Sequence, residues 1–427
     1  MAETDRRGLA LTTRSSEAAA HHRTGSELFL RGQPGARTAF AGACAADPRF
    51  CEGYVGQAFS ALYDGDTESA ARHLAAADTC DGDPRALGQL ALVRALSQLD
   101  MGTTDRLATP HLTEYPCDEL AREAAGLLFF LLGRSRQIID LYDWLAPLQG
   151  DDWGFAASWS FACHEVGRLD ESRSLGEAAL SARPDHALAL HSLAHVAYES
   201  GRHAEGADMI RSFFSAHDTV AFQRRHLHWH LALHLLATGH DAEAASLWAV
   251  VSPHGVPTLL GAVEDGASLM WRWHLYGLDG WQLPWEELSE QAHQMAALPV
   301  IPLPAACAAV VLAALDDEDG LALLLSTARS MQSSGLPVPA DVLSAVADAA
   351  RASFAGAWGD VAGALLAARP QFGLIGGSRA QREVFEDALV FGLLRSGRAD
   401  EAVPLLEERL HRRSSGRDDA LLHAAAR

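Results

Sequence analysis

The sequence predicts an all-α fold: an α-solenoid of about ten helix–turn–helix hairpins wound into one superhelix. Three observations carry this. The 427 residues are 48% hydrophobic but only 7% aromatic, with Ala and Leu dominating the apolar set, which is a helical composition. A pattern of apolar helix, turn glycine and second amphipathic helix recurs along the chain. Proline ends repeats in "ADPRF" and "ARPDH".

Taken in order, the pattern occurs at "LYDGDTESAARHL", "LLGRSRQIIDLY", "EVGRLDESRSLGEAAL", "ESGRHAEGADMI", "ATGHDAEAASLW" and "RSGRADEAVPLL". These place turn glycines at Gly65, Gly133, Gly167, Gly201, Gly239 and Gly397, and weaker matches at Gly102, Gly277, Gly320 and Gly359 complete the series. Glycine suits the position because ending the first helix favours a left-handed backbone residue. The 34-residue steps from Gly133 to Gly167 and on to Gly201 are the period of the tetratricopeptide repeat. The expected organisation is a polar, partly flexible segment over 1–24, a solenoid over 25–285, a degenerate helical continuation over 286–413 and a tail over 414–427.

Composition removes whole function classes. The chain has no lysine and no asparagine, so its 34 basic residues are all arginine. A GC-rich, bacterial coding sequence accounts for both absences. Without lysine there is no Schiff-base nucleophile, no pyridoxal-phosphate anchor and no Walker A lysine; without asparagine there is no N-glycosylation site. A formal charge of −21 opposes nucleic acid and anionic membranes as partners. Six cysteines without a CxxC pair read as reduced and packed. The residues from Met1 to Glu27 lack the apolar core of a signal peptide. The longest apolar run, "LPVIPLPAACAAVVLAAL" from Leu298 to Leu315, is broken by Pro299, Pro302 and Pro304, and its uninterrupted part is too short to span a bilayer. The expectation is a soluble cytoplasmic protein, for which a homodimer is allowed.

Three segments set the middle of the chain apart: "HALALHSLAHVAYESGRHAEG", "HLHWHLALHLLATGHDAEAASLW" and "EDGASLMWRWHLYGLDG". They resemble the tetratricopeptide repeat protein 38 family, whose pattern has an H-x-x-A-H helix, an H-x-x-W-H-x-A-L helix and a D-x-x-S-L-x-W-R helix. The matching positions are His191 and His195; His226, Trp229 and His230; and Asp265, Ser268, Trp271 and Arg272. The resemblance runs from about residue 25 to 285. It implies the repeat fold and a site, and no settled activity.

Thirteen of the 20 histidines lie between His164 and His274. In tetratricopeptide repeats the first helix of each hairpin lines a concave groove, at positions about 3, 6, 10 and 13 before the turn glycine. Counting back from Gly201 reaches Tyr198, His195, His191 and Leu188; from Gly239, Leu236, Leu233, Trp229 and His226; from Gly277, His274, Trp271, Ala267 and Glu264; from Gly167, His164 and Phe161. His230, Asp265, Ser268 and Arg272 sit one position off this stripe. The groove so defined spans 153–276. It predicts a pocket for a small organic or peptide ligand, contacted by His164, His191, Tyr198, His226, Trp229, Glu264, Ser268, Trp271, Arg272 and His274.

Two alternatives stand beside that reading. The same pocket can serve a cofactor-independent lyase, cyclase or hydrolase, with His195 or His230 as acid–base residue, Asp265 orienting an imidazole and Arg272 holding an anion. The other alternative is a protein scaffold. His203, His228 and His240 read as surface or packing residues, and His217 and His254 as loop residues. The sets His191/His195 and His226/His230/His234 have the i,i+4 spacing of metal ligands, with Glu264 or Asp265 as a conceivable third ligand. Neither set carries the glutamate of HExxH, and the expectation is no metal and no cofactor. Clustered imidazoles repel when charged, by about 3 kcal/mol for a pair ~5 Å apart at an effective dielectric of ~20, so most must be neutral near pH 7.

Overall fold

The computed structural model describes residues 3–217, 223–252, 262–297 and 301–425. His254 and the first three residues of the apolar run, 298–300, lie outside them. Among the described residues the chain is all-α, with two isolated bridges and no strand. No helix among them is long and apolar enough to cross a membrane.

The helices follow one another in hairpins: α1 (Ser16–Leu30) and α2 (Ala36–Ala46), α3 (Cys51–Tyr63) and α4 (Thr67–Ala77), α5 (Pro84–Ser97) and α6 (Met101–Glu114), α7 (Glu119–Leu131) and α8 (Ser135–Leu145), α9 (Trp153–Glu165) and α10 (Leu169–Ala182), α11 (Ala187–Glu199) and α12 (His203–Ala216). Then come α13 (Gln223–Ala237), the short α14 (Asp241–Ser246) and α15 (Trp248–Val251), and α16 (Ala262–Tyr276) with α17 (Ser289–Ala297). The remainder is α18 (Pro302–Ala314), α19 (Glu318–Ser333), α20 (Ala340–Phe354), α21 (Trp358–Ala368), α22 (Arg379–Arg395), α23 (Ala399–Arg412) and α24 (Gly416–Ala425).

One backbone device sets the register. Gly65, Gly133, Gly167, Gly201, Gly239, Gly277 and Gly397 all have φ between 66° and 82°. At Gly167 the amide donates to the His164 carbonyl and the next amide, Arg168, donates to Cys163, the bonding that closes a helix through a left-handed residue. The remaining three turns differ from the sequence expectation. Gly102, Gly320 and Gly359 lie inside α6, α19 and α21, and the left-handed residues are Leu99, Asp316 and Gly356. Leu99 and Asp316 make the same closure without glycine: Asp100 donates to Ala95, and Asp317 to Leu312. With Leu99 in place, positions 65, 99, 133, 167 and 201 are evenly 34 apart, so the early repeats are regular where the glycines alone made them look uneven.

The chain divides into two compact units, and the division passes through α11 rather than near residue 285. In the first unit (Met1–Phe130, Ser135–Ser192 and His217–Gln223), α3 packs on α1, α2, α4 and α5. Residues of the N-terminal segment make ion pairs and hydrogen bonds there. Arg85, itself buried, pairs with Asp118 at 3.1 Å and with Asp5, and donates to the Ala10 carbonyl at 2.8 Å. Arg6 pairs with Glu119 and with Asp152.

In the second unit (Leu131–Arg134, Leu193–Ala216 and Arg224–Arg427), α16 packs on both α18 and α22, and α20 also packs on both, which closes a circuit of four helices. The helices after residue 290 are thus more than a continuation of the array. Through α22 they return onto α16, and α24 occupies most of the expected tail. The apolar run becomes α18, whose residues up to Ala313 are all buried.

The shifted register predicts opposite signs for two alanine substitutions. Gly239, at φ 75°, has nothing within 4 Å of an added Cβ, so Gly239→Ala meets only backbone strain and costs about 1 kcal/mol. Gly359 also has open space but is helical, so Gly359→Ala gains ~0.5 kcal/mol in helix propensity. Denaturant midpoints of the two variants measure this. A loss at both positions would restore Gly359 as a turn residue.

Candidate functional site

The site of interest lies in the second unit, on α11, α13 and α16. His226 and Asp265 face each other across α13 and α16: the imidazole Nδ1 is 2.9 Å from one carboxylate oxygen and 3.1 Å from the other. Asp265 is fully buried, and a buried carboxylate needs donors, which makes His226 Nδ1–H the donor and leaves Nε2 with its lone pair. Trp229 stacks on the His226 ring at 5.1 Å and donates its indole N–H to Ser268 Oγ at 2.9 Å. Ser268 in turn donates to the Asp265 carbonyl at 3.2 Å. Residues at i, i+3 and i+4 of two helices are therefore locked together, which fixes the orientation of the dyad.

His230 is the centre of the group. Its ring meets His195 of α11 edge-on at 4.3 Å, His226 at 4.7 Å and Trp229 at 4.8 Å. One coordinating atom from each of His195, His226 and His230 lies within 4.8 Å of the others. His195 and His230 are fully buried, and His226 keeps 15% of its side chain exposed. Three imidazoles this close cannot all carry protons.

The other residues expected in the groove have different surroundings. Arg272, on the face of α16 that carries Asp265 but about 10 Å further along the axis, pairs with Asp387 of α22 at 3.2 Å and donates to the Ala380 carbonyl at 2.9 Å. Trp271 packs against Phe385 and donates to Ser353 Oγ at 3.1 Å. His274 bonds the Ser353 carbonyl at 3.1 Å and lies against Phe354. The Tyr198 hydroxyl donates to Glu383 at 3.2 Å, with the Arg413 guanidinium 4.3 Å above its ring. These four are committed to α20 and the C-terminal helices, so the expected groove wall is covered by the same unit's own chain. Glu264 is buried beside Asp265 in the chain. His164, in the first unit, pairs with Glu165 at 2.9 Å, and His191 stacks on Phe161.

The histidine-rich helix α13 is two-faced. His226 and His230 meet the cluster, whereas His228 accepts no part in it: its ring lies against Phe214 and its Nδ1–H donates to the Arg224 carbonyl at 2.7 Å. His240 is exposed beside Thr238, at 3.0 Å. His234 points to a different partner, His203, with their Nδ1 atoms 3.3 Å apart. His203, read as a surface or packing residue, is packed: the first turn of α12 sets it against α13's His234 and the Tyr198 ring. The sequence reading also missed Glu383 and Asp387. Their i,i+4 spacing on the largely apolar "EVFEDALVFGLL" was the available signal, since acids on the inner face of such a helix need buried cations.

No family model matches the chain. Among solved structures it is similar to the TPR domain of P58(IPK), at 14% identity over 90% of this chain and 99% of that one, with a TM-score of 0.22. It is also similar to a chain in the structure of Naa15/Naa10 bound to HypK-THB, at 12% identity over 93% of this chain and 64% of that one, with a TM-score of 0.26. The tetratricopeptide-like assignment rests on the chain's own 34-residue turns.

Several imidazoles make the fold acid-sensitive. Burial pushes His22, set between Phe40 and Phe50, down to about 3, and does the same to His186 and His234; His203 falls to about 4. Each is neutral in the fold and takes a proton near pH 6.5 when unfolded. Stability is therefore undiminished above about pH 6.5 and falls as pH drops from there toward 3, by about 2 kcal/mol per imidazole at pH 5. Melting temperatures at pH 7.5 and 5 test this: His22→Leu is expected to lose less than the wild type, and an equal fall would remove His22 from the account.

Proposed function

We propose that this chain is a tetratricopeptide-like protein of the kind represented by the tetratricopeptide repeat protein 38 family, with an internal small-molecule site built on His195, His226, His230 and Asp265. The motif residues that carry the sequence resemblance, apart from His191, Trp271 and Arg272, are those gathered at this cluster or hydrogen-bonded to it. Trp271, Arg272, Tyr198, His274 and Glu264 support the walls of that site, and His164 lies outside it. A polar organic ligand fits the chemistry, because neutral imidazoles both donate and accept hydrogen bonds.

The single observation that supports a site over plain packing is the His226–Asp265 pair. A carboxylate that orients one ring nitrogen of a partly exposed imidazole sets the tautomer and direction in which the other can meet a ligand. The same arrangement favours a second reading, acid–base catalysis without a cofactor, in which His226 Nε2 takes a proton and Asp265 stabilises the imidazolium. His226 replaces His195 and His230 as the proton acceptor in that reading, because it holds the carboxylate bond and the exposure. A helical repeat can also present its outer surface to a protein partner, but the faces of α11 and α16 around Tyr198 and Arg272 are occupied by α22 and the residues that follow it.

Native mass spectrometry of the purified chain tests the site directly. A bound organic species is expected, lost in His226→Ala and in Asp265→Asn and retained in His240→Ala. Removing a bond that leaves a buried partner unsatisfied weakens ligand binding by about 1–3 kcal/mol, or about 5- to 150-fold. Retention of the species in all three variants would show that the cluster does not hold it.

A further inference from the structure

The imidazole cluster has a composition that ligand binding alone does not require. Three histidines from two helices, α11 and α13, bring one coordinating atom each within 4.8 Å of one another. Around a tetrahedral Zn²⁺ with bonds of ~2.0–2.1 Å, neighbouring nitrogens stand ~3.4 Å apart, so closure needs shifts of about an ångström, within reach of imidazole rotation. His226 and His230 are spaced i,i+4, which puts both rings on one face of α13, where His195 of α11 meets them.

A second, independent observation points to the same ligand. A metal-bound histidine characteristically donates its other ring N–H to a carboxylate, which fixes the tautomer and raises the basicity of the coordinating nitrogen. His226 makes that bond to Asp265 at 2.9 Å. Asp265 is in turn fully buried, a carboxylate held against the imidazole group from the α16 side. The nearest competing guanidinium on α16, Arg272, is engaged by Asp387. His226, the one partly exposed member, marks the entry side.

We propose that His195, His226 and His230 bind one divalent first-row transition cation and leave a fourth position open, with Asp265 as the positioning carboxylate of His226. All-imidazole sites suit zinc, copper, nickel and iron, and exclude magnesium and calcium, which take oxygen ligands. This departs from the sequence expectation of no metal, which weighed each i,i+4 pair on its own helix and looked for a HExxH glutamate. The proposal rests on the same residues as the ligand site, and the metal would be the group through which that site holds its ligand.

The test is titration of the untagged, chelator-treated chain with Co²⁺, read by the visible bands of tetrahedral cobalt, and with Zn²⁺, read by calorimetry. The expected result is one ion per chain, with His226→Ala and His230→Ala losing the tetrahedral spectrum, Asp265→Asn weakening affinity 10- to 100-fold, and His228→Ala and His240→Ala leaving both unchanged. Circular dichroism of each variant identifies any that fail to fold; Asp265→Asn and the partly exposed His226→Ala keep the test decisive if His230→Ala does. No tetrahedral spectrum in the wild type, or the same affinity in His226→Ala and His240→Ala, would overturn the metal. An organic species bound in the native spectrum of a chain that takes up no metal would overturn the metal site and leave the ligand site standing.

Discussion

The second unit depends on one buried ionic network. Glu383 and Asp387, a turn apart on α22, meet Arg409 and Arg413 from α23 and the residue after it, Arg272 from α16, and through Arg409 also Asp418 of α24. Glu383 is held at about 2, chiefly because the flanking arginines outweigh its desolvation. Desolvating so many charges makes such a network a poor source of net stability; its effect is on which arrangement forms. An apolar α22 has many ways to pack on α16. With three guanidiniums and three carboxylates to satisfy, it has one, and removing a single partner costs about 3–5 kcal/mol because the others stay buried.

That constraint decides the environment of the candidate site. Tyr198, Trp271 and Arg272 occupy positions which an open repeat array would present to a groove, and here α22 fills that space. The imidazoles one or two turns away on the same helices are left as an interior polar group, approached through His226. A ligand or metal at such a place is shielded from water, where each hydrogen bond and each coordinate bond is stronger than at a surface.

Much of the fold was legible because the turn requires a left-handed residue and glycine adopts that conformation most readily. Leu99 and Asp316 hid two turns, since nothing in the side chain announces a positive φ, and nearby helical glycines were taken for the missing ones. The residues of the candidate site were legible from helical spacing: His226, His230, Asp265 and Ser268 fall where periodicity aligns them. The return of α22 was not, because it is specified by charge pairs between helices more than 100 residues apart, and spacing within one helix carries no trace of such a partner. For the same reason Arg272 read as an anion-binding residue when its anion is Asp387.

The central claim is that the Glu383–Asp387 network holds α22 to α24 over α11 and α16 and so keeps the imidazole site interior. Amide hydrogen exchange of the wild type against Glu383→Gln tests it most directly. The account predicts that the variant loses protection throughout α22, α23 and α24, and that amides of α16 near Arg272 lose it with them, while α3 and α5 of the first unit are unchanged. Protection in α16 that survives the loss of α22 to α24 would contradict it.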